Sequence, residues 1–201
     1  MGDYVVALTF TTEQVRKLNT EGFKLCFTSA VGADKTYNVI AYADTVASKV
    51  TIRWKEQYLI AATKTKFQNG VEFDSNTTPS DISFQQTYTL PSDWTDGNVS
   101  PNGKLDPGSY SFANNTDGEA SAVIYKPING QPAPFYVSQS PVFSKGTETL
   151  TPKLFVALWF QKNATTKTMI SLSSSQISEF NFTGRSSLNA HWDGARFVPD
   201  N

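Results

Sequence analysis

Cysteine and histidine occur once each in 201 residues, as Cys26 and His191. A lone cysteine excludes an intramolecular disulfide, and the chain reads as one at home in a reducing compartment. One thiol and one imidazole cannot build a zinc site without carboxylate help. A basic excess is also missing: 17 Lys and Arg stand against 18 Asp and Glu, for a net charge of -1. Binding to nucleic acid phosphates needs such an excess, so that partner class is excluded. The longest apolar run, Leu154 to Phe160, is far short of the roughly 20 residues of a membrane-spanning helix. Met1-Gly2-Asp3-Tyr4 has neither a basic n-region nor an apolar h-region, which predicts a cytoplasmic protein. Gly2 is followed by Val6 where a myristoylation signal wants Ser or Thr.

Charged residues make up 17% of the chain, below the usual quarter or so. Ser, Thr and Asn number 56 together, so solubility rests on neutral polar groups, as in many β-rich proteins with wet loops. Twenty-six aromatic residues give ample surface to bury and exclude disorder.

Turn punctuation is dense. Asn-Gly or Asp-Gly occurs at 69, 96, 102, 117, 129 and 193, and these dipeptides accept the positive φ angles of tight hairpins. Between them, apolar residues alternate: Tyr4, Val6, Leu8, Phe10; Phe23, Leu25, Phe27; Val50, Ile52, Trp54; and Phe84, Tyr88, Leu90 around Gln86. Period two with β-branched and aromatic residues predicts half-buried strands, and Leu154–Phe160, apolar on both faces, predicts a strand covered on both sides. One helix is signalled near residues 12–20. Thr11 and Gln14 match a capping box, Glu13 and Lys17 form an i,i+4 pair, and Gly22 offers a stop. Pro91–Gly108 and Pro127–Pro141 read as irregular. The expected fold is all-β: one two-sheet antiparallel β-sandwich over residues 1–201, with the short helix.

Catalytic patterns are sparse. A triad would have to use His191 with Asp193, but no Gly-x-Ser-x-Gly elbow exists and Cys26 lies in the apolar run Phe23–Phe27. Asp93, Asp96, Asn98 and Asp106 offer oxygen ligands without EF-hand spacing, so no metal is expected. Any two of the 18 acids could form a glycosidase pair, and nothing in the sequence selects one. A non-enzyme is the expectation. Aromatics are the remaining resource. Trp54 and Trp159 run with apolar neighbours and read as core, whereas Trp94 and Trp192 are flanked by short polar residues. The candidate site is therefore a loop surface of Trp94, Tyr110 and Trp192 with Asp93, Asp96 and Asp193 as polar partners, which Phe135 and Tyr136 could extend.

The opening, Leu8-Thr9-Phe10 through Leu25-Cys26-Phe27 to Tyr37-Asn38-Val39, resembles that of soluble fungal proteins. The overall type resembles the small β-sandwich proteins of fruiting bodies, which include lectins, cytolysins and a pigment-carrying chromoprotein. The resemblance implies an abundant, non-catalytic binding protein and transfers no site residue. The function expected is binding of a carbohydrate or a flat small molecule, with a bound chromophore as the conceivable cofactor. A membrane-active cytolysin and a carboxylate-pair hydrolase are the alternatives, and homo-oligomerisation is left open.

Overall fold

Strand pairing begins at the N-terminus of the computed structural model, which describes residues 2–200. β1 (Asp3–Thr9) leads into α1 (Thr12–Thr20) and β2 (Phe23–Val31). The capping box forms as the sequence predicts: Thr11 N–H donates to Gln14 Oε1 at 2.9 Å and Gln14 N–H to Thr11 Oγ1 at 3.2 Å. Gly22 ends the helix at φ +76°, a conformation that costs a residue without Cβ nothing. None of the helix is buried; Val15 and Leu18 lean on the core. No described helix is long and apolar enough to cross a membrane.

Fourteen further strands follow: β3 (Tyr42–Asp44), β4 (Lys49–Lys55), β5 (Tyr58–Thr63), β6 (Ser80–Ile82), β7 (Gln86–Leu90), β8 (Asn98–Pro101), β9 (Tyr110–Asn114), β10 (Ser121–Ile128), β11 (Gln131–Val137), β12 (Thr147–Leu150), β13 (Pro152–Lys162), β14 (Ser178–Asn181), β15 (Ser187–Trp192) and β16 (Phe197–Pro199). The chain is all-β apart from α1 and one short 3-10 turn at Ser174–Gln176. Three sheets form where two were expected. An eight-stranded sheet runs β16-β15-β1-β4-β10-β5-β6, with β11 paired to β10; the four-stranded sheets run β12-β9-β7-β8 and β14-β13-β2-β3. Pairing is not purely antiparallel either. β15 returns beside β1 in parallel, and β9 lies parallel to β7. Both joins link strands distant in sequence, which alternation cannot reveal.

Alternation itself holds well. In β4, Ile52 and Trp54 are buried while Thr51, Arg53 and Lys55 are exposed. Val156 to Trp159 in β13 are buried on both faces, between β2 and β14. One apolar cluster draws on all three sheets. Trp54 is central to it, with Phe27, Phe182 and Tyr4 at ring separations of 5.2, 4.8 and 5.6 Å.

The two irregular segments are corrected in part. Pro91–Gly108 contains β8, and Pro127–Pro141 is mostly the β10–β11 hairpin. Its Asn129-Gly130 turn carries φ values of 49° and 82°, the type I′ geometry that Asn-Gly favours. Pro132 and Pro134 sit in β11, whose one ladder is with β10, so a missing N–H on its other side disturbs nothing. Phe84 leaves its strand pattern: it lies in the β6–β7 turn and is 46% exposed.

Candidate functional site

No ring contact or hydrogen bond among the described residues joins Trp94, Tyr110 and Trp192 to one another. Tyr110 is the clearest correction: it opens β9 rather than a loop and is fully buried. Its flanking Ser109 and Ser111, which suggest a wet loop, are buried too and bond Thr151 and Thr87. Phe135 and Tyr136 are likewise buried in β11. Trp94 sits in the β7–β8 loop at φ 60°, an uncommon conformation for a bulky residue, with the Lys64 ammonium 4.8 Å over its ring. Trp192 ends β15, half-buried against Phe160 and Phe197, and its carbonyl accepts from the Gln14 side chain at 2.8 Å.

The aspartates near them serve the backbone. Asp93 accepts from the N–H and hydroxyl of Thr95, and these bonds hold its carboxyl below the usual range. Asp96 accepts from Thr78 N–H at 2.7 Å. Asp193 accepts from Ala195 and Arg196 N–H, which lower its pKa in the same way. The carboxylate beside His191 is Asp200, 2.7 Å from Nδ1, rather than Asp193. Cys26 is fully buried, and desolvation pushes its thiol up to about 12, so it carries no thiolate at neutral pH.

A different cluster concentrates the chemistry. β10 places Ala122, Ile124, Lys126 and Ile128 on one face at period two, and this face meets the main core. A register shift between β10 and β11 at Ile124/Tyr125 leaves Phe135 as the extra residue on β11. Lys126 is 0% exposed. Its Nζ donates to Glu56 Oε1 at 2.8 Å and lies 4.6 Å from the Phe135 ring centroid and 5.5 Å from that of Tyr58. Glu56 stands in the tight connection between β4 and β5. Its Oε1 also accepts from Trp54 Nε1 at 3.1 Å, and its Oε2 accepts from the Tyr58 hydroxyl. Burial pushes the Lys126 ammonium below its ordinary pKa, and the Glu56 charge and hydrogen bond oppose that shift.

Behind this ion pair the Tyr110 hydroxyl is buried with no hydrogen-bond partner among the described residues. Such an orphan costs on the order of 1–3 kcal/mol. Tyr110 packs on Tyr58 and lies parallel to Phe84, at centroid separations of 5.5 and 6.2 Å. In front lies a cavity of about 610 Å³ lined by Glu56, Tyr58, Leu59, Asp81, Ile82, Ser83, Phe84 and Pro127, among others. Its walls are largely apolar, and Glu56 and the exposed Phe84 both contribute to them. An ionised carboxylate offers about four acceptor positions, and Trp54, Lys126 and Tyr58 fill three of them.

A second carboxylate, Glu148, lies in a shallower groove beside Phe143, which is 70% exposed. Glu148 accepts from the hydroxyls of Ser138 and Tyr136. Burial raises its carboxyl above the ordinary 4.5, outweighing those two bonds. The folded state therefore binds this proton more tightly than the unfolded chain. The resulting stability is fully present below pH 4.5 and is lost as pH rises through the folded value. Glu148→Gln removes this dependence. We expect wild type to lose stability relative to the variant as pH is raised from 4 to 7 (roughly the window that brackets a raised carboxyl), read as the difference between their denaturation midpoints. A difference that stays flat or grows in the opposite sense would refute the assignment.

Searches for related proteins return nothing to set beside this geometry: no family model, no curated protein and no solved structure matches the chain.

Proposed function

We propose that this chain is a non-catalytic binding protein for a small ligand with a flat face, an aromatic ring system in the first place. The proposed site is the Glu56–Tyr58–Phe84 cavity. The observation that carries the reading is the exposed Phe84 ring, backed by Tyr58 and Tyr110, in a largely apolar cavity that is also lined by Glu56, whose carboxylate has an acceptor position to spare. Stacking on Phe84 supplies affinity, and a donor group on the ligand, an N–H or O–H, satisfies Glu56. Of the residues singled out from the sequence, Tyr110 packs behind Tyr58 and Phe84, and Phe135 packs on Tyr58 and under the Lys126 ammonium.

A sugar ring meets the same requirements, since its C–H face stacks on an aromatic ring and its hydroxyls donate to carboxylates. Asp81 and Ser83 on the cavity wall favour this second reading. Glu56 and Asp81 also make a carboxylate pair conceivable, but Lys126, Trp54 and Tyr58 already hold Glu56 as a fixed acceptor.

Trp54 provides a built-in reporter, because its indole N–H bonds the same carboxylate oxygen as Lys126. Titration with planar heteroaromatic dyes and with methyl glycosides, followed by tryptophan fluorescence, tests the reading. Phe84→Ala should weaken binding by roughly 1–3 kcal/mol, the loss expected for a stacked aromatic anchor. Affinity unchanged in Phe84→Ala, or no response to any compound, would place the function elsewhere. A visible absorption band on protein purified from its source would favour the pigment over the sugar.

A further inference from the structure

We propose that Lys126 is an attachment point for a carbonyl ligand: an aldehyde or ketone borne on a planar ring system in the Glu56 cavity condenses with the Lys126 amine to an imine, with the Glu56 carboxylate as its counter-ion. The inference deepens the binding reading above and rests on it. Thirteen lysines occur in the chain, and Lys126 is the one that is wholly buried among the described residues. A buried ion pair contributes little net stability, because well-packed apolar residues in place of both partners serve as well or better. The surroundings of Lys126 suit a reaction instead. Glu56, its 2.8 Å partner, lines the cavity, as do Tyr58 and the next residue in sequence, Pro127. The amine is thus one hydrogen bond behind the cavity wall.

Desolvation by the Phe135 and Tyr58 rings favours the free amine, which is the nucleophile. Glu56 takes a proton from the ammonium, the amine adds to the carbonyl carbon, and the C–O bond breaks as the new C=N bond forms. The carbonyl oxygen leaves as water with two protons from the nitrogen. The charge on nitrogen passes from ammonium to iminium, and Glu56 ends as a carboxylate, so the ion pair is conserved and no oxidant or reductant is consumed. The Tyr110 ring packs on Tyr58 at 5.5 Å, and its buried hydroxyl has no hydrogen-bond partner among the described residues.

Naphthaldehyde is the probe, with naphthalenemethanol as its unreactive analogue. The intact protein is incubated with the aldehyde and cyanoborohydride, which reduces an imine to a stable secondary amine, and the labelled lysines are mapped by peptide mass. Lys126 should carry most of the label, and Phe84→Ala, at an exposed position, should lower labelling about ten-fold by removing the stacking anchor. If the alcohol quenches tryptophan fluorescence in a Phe84-dependent way while the label scatters over exposed lysines, the attachment is overturned and the binding reading stands. If neither compound binds, both fall.

Discussion

Lys126→Met should lower the unfolding free energy by about 3–5 kcal/mol, the usual loss when one member of a buried ion pair is removed. The reason is what remains. Glu56 keeps its bonds from Trp54 and Tyr58 but loses the only cation within hydrogen-bond distance that the structure gives it among the described residues, with its side chain 13% exposed. The methionine itself fits the aliphatic path of the lysine and packs against Phe135 and Tyr58, so lost volume is a minor part of the effect. Glu56→Gln made in the Lys126→Met background should restore most of the stability. Its amide oxygen can accept from Trp54, and no charge is left in the apolar surroundings. The four-protein cycle, measured by denaturant unfolding, separates charge pairing from packing. Additive losses would mean that the two charges are not coupled, and would remove the physical basis for treating the pair as a unit.

This pair was within reach of the sequence, and the reason it is easy to pass over is instructive. Ala122, Ile124, Lys126 and Ile128 share one strand face, and a lysine at an inward position between two isoleucines is a conflict that calls for a buried partner. The prolines from Pro127 onward mask the strand, because proline argues against a central ladder; Pro132 and Pro134 are accommodated because β11 bonds on one side only. Local signals fared better. The capping box at Thr11 and Gln14, the Asn129-Gly130 turn and the burial of Trp54 and Trp159 are all written in residues close together in sequence. The third sheet, and the parallel joins of β1 with β15 and β7 with β9, depend on partners far apart in the chain, to which a period-two pattern is blind. Tyr110 shows the opposite error. Serines on both sides look like a wet loop, yet here Ser111 bonds Thr87 on the neighbouring strand and Ser109 bonds Thr151 inside the protein.

Gly97→Ala is the second substitution with a large expected effect, about 1–3 kcal/mol and toward the upper end of what overpacking costs. A methyl group on Gly97 would run into the ring of Tyr88, which is fully buried and stacks on Phe112. That ring cannot step aside. Its hydroxyl pairs with Thr77 at 3.0 Å and accepts from Gly97 N–H at 3.0 Å, so any movement breaks bonds that also tether the β7–β8 loop. The same loop carries Trp94 in its left-handed conformation and Asp96 on Thr78 N–H, so it is pinned from several sides rather than free to mould around a ligand. Gly103→Ala is the internal control: its added methyl meets nothing within 4 Å, and its cost should stay within about 0.5 kcal/mol. Coupling with Tyr88 decides the cause. Tyr88→Leu vacates the space the new methyl needs, so in that background Gly97→Ala should cost much less than it does in wild type. An equal cost in both backgrounds would mean that the loop backbone at residue 97, and not the buried ring, requires glycine.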